Sequence, residues 1–162
     1  MNLISDKAFV SRLADIETSA RGSKLTVADG VMIDSFVKIK FTGGSGDINI
    51  GEGSYINSGC VLYSGNGIRI GKHVLIAANC TFAAVNHEYV QKDKLIKEQR
   101  FRESKGGIII EDDVWIGAGV VVLDGSVIKQ GAVIGAGSIV SGVVEAYSVS
   151  GGNPLKVIKY RQ

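Results

Sequence analysis

The sequence carries a single proline, Pro154, where about eight would be usual for its length. That scarcity fits a chain whose backbone N–H groups are nearly all used in strand ladders, where proline cannot donate. Cysteine is limited to Cys60 and Cys80, too few for a disulfide scaffold. Histidine is limited to His73 and His87, which excludes a metal site built on three histidines, and no metal is expected. No apolar run approaches the roughly 18 residues of a membrane-spanning helix. Neither sign of charge is in excess: 18 cations against 16 anions leave a net charge of +2, not the basic surplus of a nucleic-acid partner. The stretch from Met1 to Val10 contains Asp6 and no long apolar core, so a signal peptide is not expected. A cytoplasmic protein is the resulting expectation.

What is abundant is glycine, 22 of 162 residues, and β-branched aliphatic side chains. Isoleucine and valine number 19 each against eight leucines, a balance that favours strands over helices. These aliphatics recur with a period of six. From Ile110 the series runs Ile116, Val122, Ile128, Ile134, Val140 and ends at Ala146. A small residue or valine stands two places earlier at Val114, Val120, Ser126, Ala132, Ser138 and Val144. The same rule fits Ile50, Ile56, Leu62 and Ile68, resumes at Ile70, Ile76 and Phe82, and is weaker at Val27, Ile33 and Ile39. Six is neither the 3.6 of a helix nor the 2 of an ordinary strand. It suits a solenoid in which each hexapeptide is a short strand plus a corner, three of them making a triangular coil of about 18 residues. The six-period residue would point inward and the residue two before it would fill the narrow corner.

Interruptions divide the chain into a segment 1–24, a β-helix domain 25–152 and a basic tail 153–162. Residues 1–24 are expected to be part helical, with Ser5 capping a helix to Ile16 that aligns Phe9, Leu13 and Ile16. Phe41 to Asp47 is a glycine-rich insert. The largest break, 86–107, holds six cations and four anions, and an extruded loop on a regular scaffold is commonly functional. His87 opens that loop, where a rigid scaffold meets an irregular lid; His73 falls on an ordinary outward corner. Cys60 and Cys80 are expected to stack in neighbouring coils as buried, inert thiols.

Four blocks carry a family resemblance: Asn86-His87 before the charged loop, Asp113-Val114-Trp115-Ile116-Gly117-Ala118-Gly119, Val133-Ile134-Gly135-Ala136-Gly137-Ser138, and Gly152-Asn153-Pro154-Leu155-Lys156-Val157-Ile158. Over roughly 50–158 the chain resembles the hexapeptide-repeat acetyltransferases, in the branch of the galactoside, maltose and xenobiotic enzymes and the sugar O-acetyltransferases. The resemblance implies an all-β, left-handed parallel β-helix, a homotrimer with active sites between subunits, acetyl-CoA as donor and a sugar or glycan acceptor. It implies His87 as catalytic base, Asn57 as an acceptor-binding residue, and Trp115, Ala118, Ala136, Ser141 and Lys159 along the path of CoA. Gly142 to Ala146 departs from the family's usual Lys-Asp and proline run, and 1–24 does not resemble the sugar enzymes' acceptor domain. A neutral imidazole suits removal of a hydroxyl proton near neutral pH. Backbone N–H groups near Gly117 and Gly119 are candidate oxyanion donors. Glu88 either orients His87 or begins the loop, and Lys156, Lys159 and Arg161 suit CoA phosphates. Two alternatives stand beside the O-acetyltransferase: an N-acyltransferase acting on an amino-sugar nucleotide, and a non-catalytic β-helix scaffold.

Overall fold

A computed structural model describes residues 2–162. The chain winds through successive three-strand coils. The first contains β1 (Leu3–Ile4), β2 (Phe9–Val10) and β3 (Asp15–Ile16). The second has β4 (Leu25–Val27), β5 (Met32–Ile33) and β6 (Lys38–Lys40), and the third β7 (Ile48–Ile50), β8 (Tyr55–Ile56) and β9 (Val61–Tyr63). The fourth has β10 (Ile68–Ile70), β11 (Leu75–Ile76) and β12 (Thr81–Ala83). The loop 86–107 follows, with one helical turn, α1 (Ile96–Gln99). Then come β13 (Ile108–Ile110), β14 (Trp115–Ile116) and β15 (Val121–Leu123), and β16 (Val127–Ile128), β17 (Val133–Ile134) and β18 (Ile139–Val140). The last turn holds β19 (Val143–Val144) and β20 (Ser148–Gly151), against which β21 (Lys156–Tyr160) folds back antiparallel.

Every third strand stacks parallel on its counterpart, which makes three sheets. The first runs from β1 to β19, the second from β2 to β20 with β21 at its edge, and the third from β3 to β18. Register shows why six was the period. On the first sheet Val27, Ile50, Ile70, Ile110, Ile128 and Val144 form one inward ladder. On the second Val10, Ile33, Ile56, Ile76, Ile116 and Ile134 do the same, and on the third Ile16, Ile39, Leu62, Phe82, Val122 and Val140. The residues two places earlier, from Ser54 and Cys60 to Ala132 and Ser138, are buried as corner fillers. No coil can bury its own inner face, so this stacking supplies the core.

The structure corrects three expectations. No helix occupies the N-terminal segment, and the β-helix starts at Leu3 instead of residue 25. Ile4, Val10 and Ile16 are themselves six apart and stack on the coil above, an order that outweighs a weak local helix signal. Phe9 and Leu13, expected to share one face of that helix, are exposed. Ser5 caps nothing; its hydroxyl donates to Asp29 at 2.6 Å and accepts from the Lys7 N–H. At the other end the series closes on Val144, not Ala146, because the turn at Ser141-Gly142 is two residues shorter and Ile128 pairs with Val144. The basic tail 153–162, finally, is in part a strand, Lys156–Tyr160, on the edge of the second sheet. Cys60 and Cys80 are buried free thiols, as expected. Contact with the Cys80 sulfur, then burial, push the Cys60 thiol well above its usual range.

Candidate active site

The loop leaves the prism at the corner between the third and first sheets, after β12, and re-enters at β13. Its base is a two-limbed hairpin. The Arg102 N–H donates to the Asn86 carbonyl at 2.8 Å and the Glu88 N–H to the Arg100 carbonyl at 3.0 Å. His87 and Phe101 face each other across this hairpin, with ring centroids 4.8 Å apart. The His87 ring is exposed, and its Nδ1 lies 3.2 Å from the Arg100 carbonyl oxygen. A carbonyl can only accept, so Nδ1 is the donor in this contact, which in a neutral imidazole would leave Nε2 as the acceptor. Glu88 does not touch the ring. Its carboxylate accepts from the Tyr89 and Val90 N–H groups and pairs with Arg102 at 3.6 Å, which makes it the start of the loop. The Arg102 guanidinium also lies over the Tyr89 ring, 5.3 Å from its centre.

A groove of about 400 Å³ opens here, lined by Asn86, His87, Tyr89, Arg102, Lys105, Leu123, Asp124 and Ser141. Ser141 thus shares the corner of His87. The other expected residues do not. Asn57, Ala118 and Ala136 lie on the corner between the second and third sheets, after β8, β14 and β17 respectively. Trp115 and Lys159 face a different cavity of about 710 Å³ on the second sheet, together with Val133, Val149 and Tyr160. In a single chain the expected site is therefore split, with His87 and Ser141 on one edge of the third sheet and Asn57, Ala118 and Ala136 on the other.

Two expectations need refinement. Asn57 is half-buried and its Nδ2 donates to the Ile76 carbonyl one coil on at 2.9 Å, so one amide hydrogen serves as a corner staple, while Oδ1 and the second N–H have no protein partner among the described residues. Neither Gly117 nor Gly119 has a free N–H; they donate to the Ile134 and Ala78 carbonyls at 2.8 and 3.0 Å. Between them the Ala118 N–H has no backbone partner among the described residues, and Ala118 is exposed. The sequence reading missed Asp124, a carboxylate only 4% exposed at the back of the His87 groove. The available signal was its place in register: it follows Leu123 as Ser64 follows Tyr63 and Ala84 follows Ala83, so an acid fills a slot held by small residues in the two coils before it. Among the described residues no group of three or more His, Cys, Asp or Glu side chains is placed to hold a metal ion, and no helix is long and apolar enough to cross a membrane.

Residues 107–142 match the protein-family model described as bacterial transferase hexapeptide (six repeats). Over these residues the chain carries the repeat of the hexapeptide-repeat transferases. This hexapeptide-repeat chain is 33% identical over 114 residues to the galactoside O-acetyltransferase of Lactococcus lactis, covering 70% of its own length and 53% of the relative's. It spans about half or less of the length of this and another of the first curated relatives it matches. Among solved structures it superimposes on a hexapeptide-repeat-containing acetyltransferase of Vibrio cholerae complexed with acetyl coenzyme A. The TM-score is 0.71 and the identity 29%, over 80% of this chain and 67% of that one. It also superimposes on a mutant of AntD, an N-acyltransferase of Bacillus cereus in complex with dTDP-4-amino-4,6-dideoxyglucose and coenzyme A. There the TM-score is 0.83 and the identity 25%, over 99% of this chain and 84% of that one. Like these neighbours, the hexapeptide-repeat chain is a left-handed parallel β-helix, the opposite hand to ordinary parallel crossovers.

Proposed function

We propose that the protein is an acetyl-CoA-dependent O-acetyltransferase acting on a sugar or glycan precursor, with His87 as general base. The supporting observation is the His87 ring itself: exposed, held by Phe101 and the Arg100 carbonyl through Nδ1, and lining a polar groove. Nε2 takes the proton of the acceptor hydroxyl as its oxygen attacks the thioester carbonyl. The tetrahedral intermediate then collapses, CoA leaves as the thiolate, and the imidazolium returns the proton to sulfur. Neither cysteine takes part, because both are buried in the core. The exposed, unpartnered Ala118 N–H is the candidate donor for the developing oxyanion.

The split geometry supports a homotrimer. The two half-sites flank the third sheet, whose outer face carries Val61, Thr81, Val121 and Ile139 in register. Packing these faces around a three-fold axis sets the His87 corner of one subunit against the Asn57, Ala118 and Ala136 corner of the next. CoA then extends along that second corner toward Trp115 and Lys159. Light scattering should give three times 17.1 kDa.

The decisive experiment is transfer from acetyl-CoA to candidate sugars with wild type, His87→Ala and His73→Ala. Loss of the base should lower kcat at least about 100-fold while CoA still binds. His73→Ala should match wild type, and equal losses at both positions would refute the assignment. One observation favours a second reading, N-acylation of an amino-sugar nucleotide: AntD covers the whole chain, first coil included. An ester product is cleaved by mild alkali and an amide is not, so the product decides between the two.

A further inference from the structure

We propose that Asp124 is a positioning residue for His87, a buried carboxylate clasp that fixes the returning limb of the loop. The inference rests on the assignment of His87 as base. Asp124 makes no bond that its own coil requires. Its Oδ1 accepts the Gly107 N–H at 2.9 Å, and its Oδ2 accepts the Lys105 N–H at 3.0 Å and the Asn66 Nδ2 at 3.1 Å. Two of the three donors are backbone groups of the loop just before it re-enters the prism, and the third comes from the coil before the loop. Hydrogen bonds to a charged acceptor are the stronger kind.

The limb from Arg100 to Gly107 is thereby held at both ends. At its far end the carboxylate holds Lys105 and Gly107, and the Gly107 Cα packs directly on the Asn66-Gly67 backbone, with no room for a side chain. At its near end Arg100 to Arg102 pair with Asn86 to Glu88 and supply both the carbonyl and the ring that orient His87. Loosening the far end frees the strand that sets the tautomer and direction of the imidazole. Asp124 lines the same groove but, at 4% exposure and with both oxygens occupied, it acts through the loop and not on substrate.

The test is Asp124→Asn, which keeps the shape but turns one acceptor oxygen into an NH₂ facing N–H donors. Amide hydrogen exchange at Lys105, Gly106 and Gly107 should accelerate at least about tenfold, as should trypsin nicking at the loop cations, while ladder amides such as Ile116 stay protected. Turnover should fall about 10- to 100-fold with the KM for acetyl-CoA unchanged, the mark of a displaced base. Exchange that stays at the wild-type rate overturns the clasp, whatever happens to turnover. If turnover falls with exchange unchanged, the carboxylate acts on substrate instead. Should Asp124→Asn not fold, Asn66→Ala removes one of the three bonds and leaves the acid. The same acceleration, smaller, is then expected, and none would overturn the proposal. If wild type transfers no acyl group, the functional reading fails while the exchange data still judge the clasp.

Discussion

The scaffold and the loop are built from the same chain by opposite means. In the coils, each inward residue repeats one neighbour's chemistry at a fixed register, and the interior is a stack of Ile, Val and Leu with Phe82 as its largest member. In the loop 86–107 no apolar side chain is buried, and order comes from individual hydrogen bonds, two ring contacts and the carboxylates of Glu88 and Asp124. The difference teaches where stability and chemistry are kept apart. Burial is cooperative and tolerates no gap, whereas a few polar contacts can hold a reactive imidazole in the open without contributing much to folding. That division predicts that damage to each region is read by a different instrument.

The largest effect should come from the core. Phe82 lies between Leu62 and Val122 in the third sheet, and Phe82→Ala leaves a cavity that close-packed ladders cannot collapse around. A loss of about 3–5 kcal/mol is expected by denaturant unfolding. The loop should follow only indirectly, through the population of folded protein. A Phe82→Ala protein with near-native stability would mean that the coils are looser than their register implies, and the contrast with the loop would disappear.

Asn57 tests the boundary between the two regimes, because it belongs to the scaffold by its Nδ2 and to the candidate site by its Oδ1. Asn57→Ala should cost about 1 kcal/mol, the usual worth of one hydrogen bond. It should also raise the acceptor KM or lower kcat without changing CoA affinity. A stability loss with unaltered kinetics would assign Asn57 wholly to the corner, since the same amide explains its presence there.

How much of this was legible follows the same line. Ladders could be read because their period is local: Ile110, Ile116 and Val122 announce themselves within a dozen residues. The first coil carried the same spacing in Ile4, Val10 and Ile16, but Phe9 and Leu13 imitate a helical stripe and hid it. Ala146 was misplaced because a turn shortened by two residues leaves no mark on composition. The site was legible only where it opened a break in the period, at His87. Asp124 was not, since its partners lie 17, 19 and 58 residues away and no short motif joins them. Nor could sequence show that Gly117 and Gly119 spend their N–H groups on neighbouring coils.

The smallest effect should come from the rim of the first coil, where the loop's means of ordering is used without a site to serve. Lys7 and Asp29 pair at 2.8 Å with both side chains more than half exposed. The hydrogen bond from Lys7, then that from Ser5, holds the Asp29 carboxyl below its ordinary value of 3.8, and the bond to Asp29 holds the Lys7 amine above 10.5. A carboxyl lowered in the folded state stabilises above its unfolded value and loses that contribution as pH falls through the folded one. A raised amine stabilises below its unfolded value and loses that contribution as pH rises through the folded one. The pair therefore acts in full between about pH 4 and 10.5 and fades outside that window, and solvent and salt screen it there. Lys7→Met should shift Tm by less than about 3 °C at pH 7, and the shift should shrink as pH falls below about 4 and in 1 M NaCl. A larger, pH-independent drop would show that Lys7 holds the first coil through its hydrocarbon stem, and that the rim is ordered by burial as the core is.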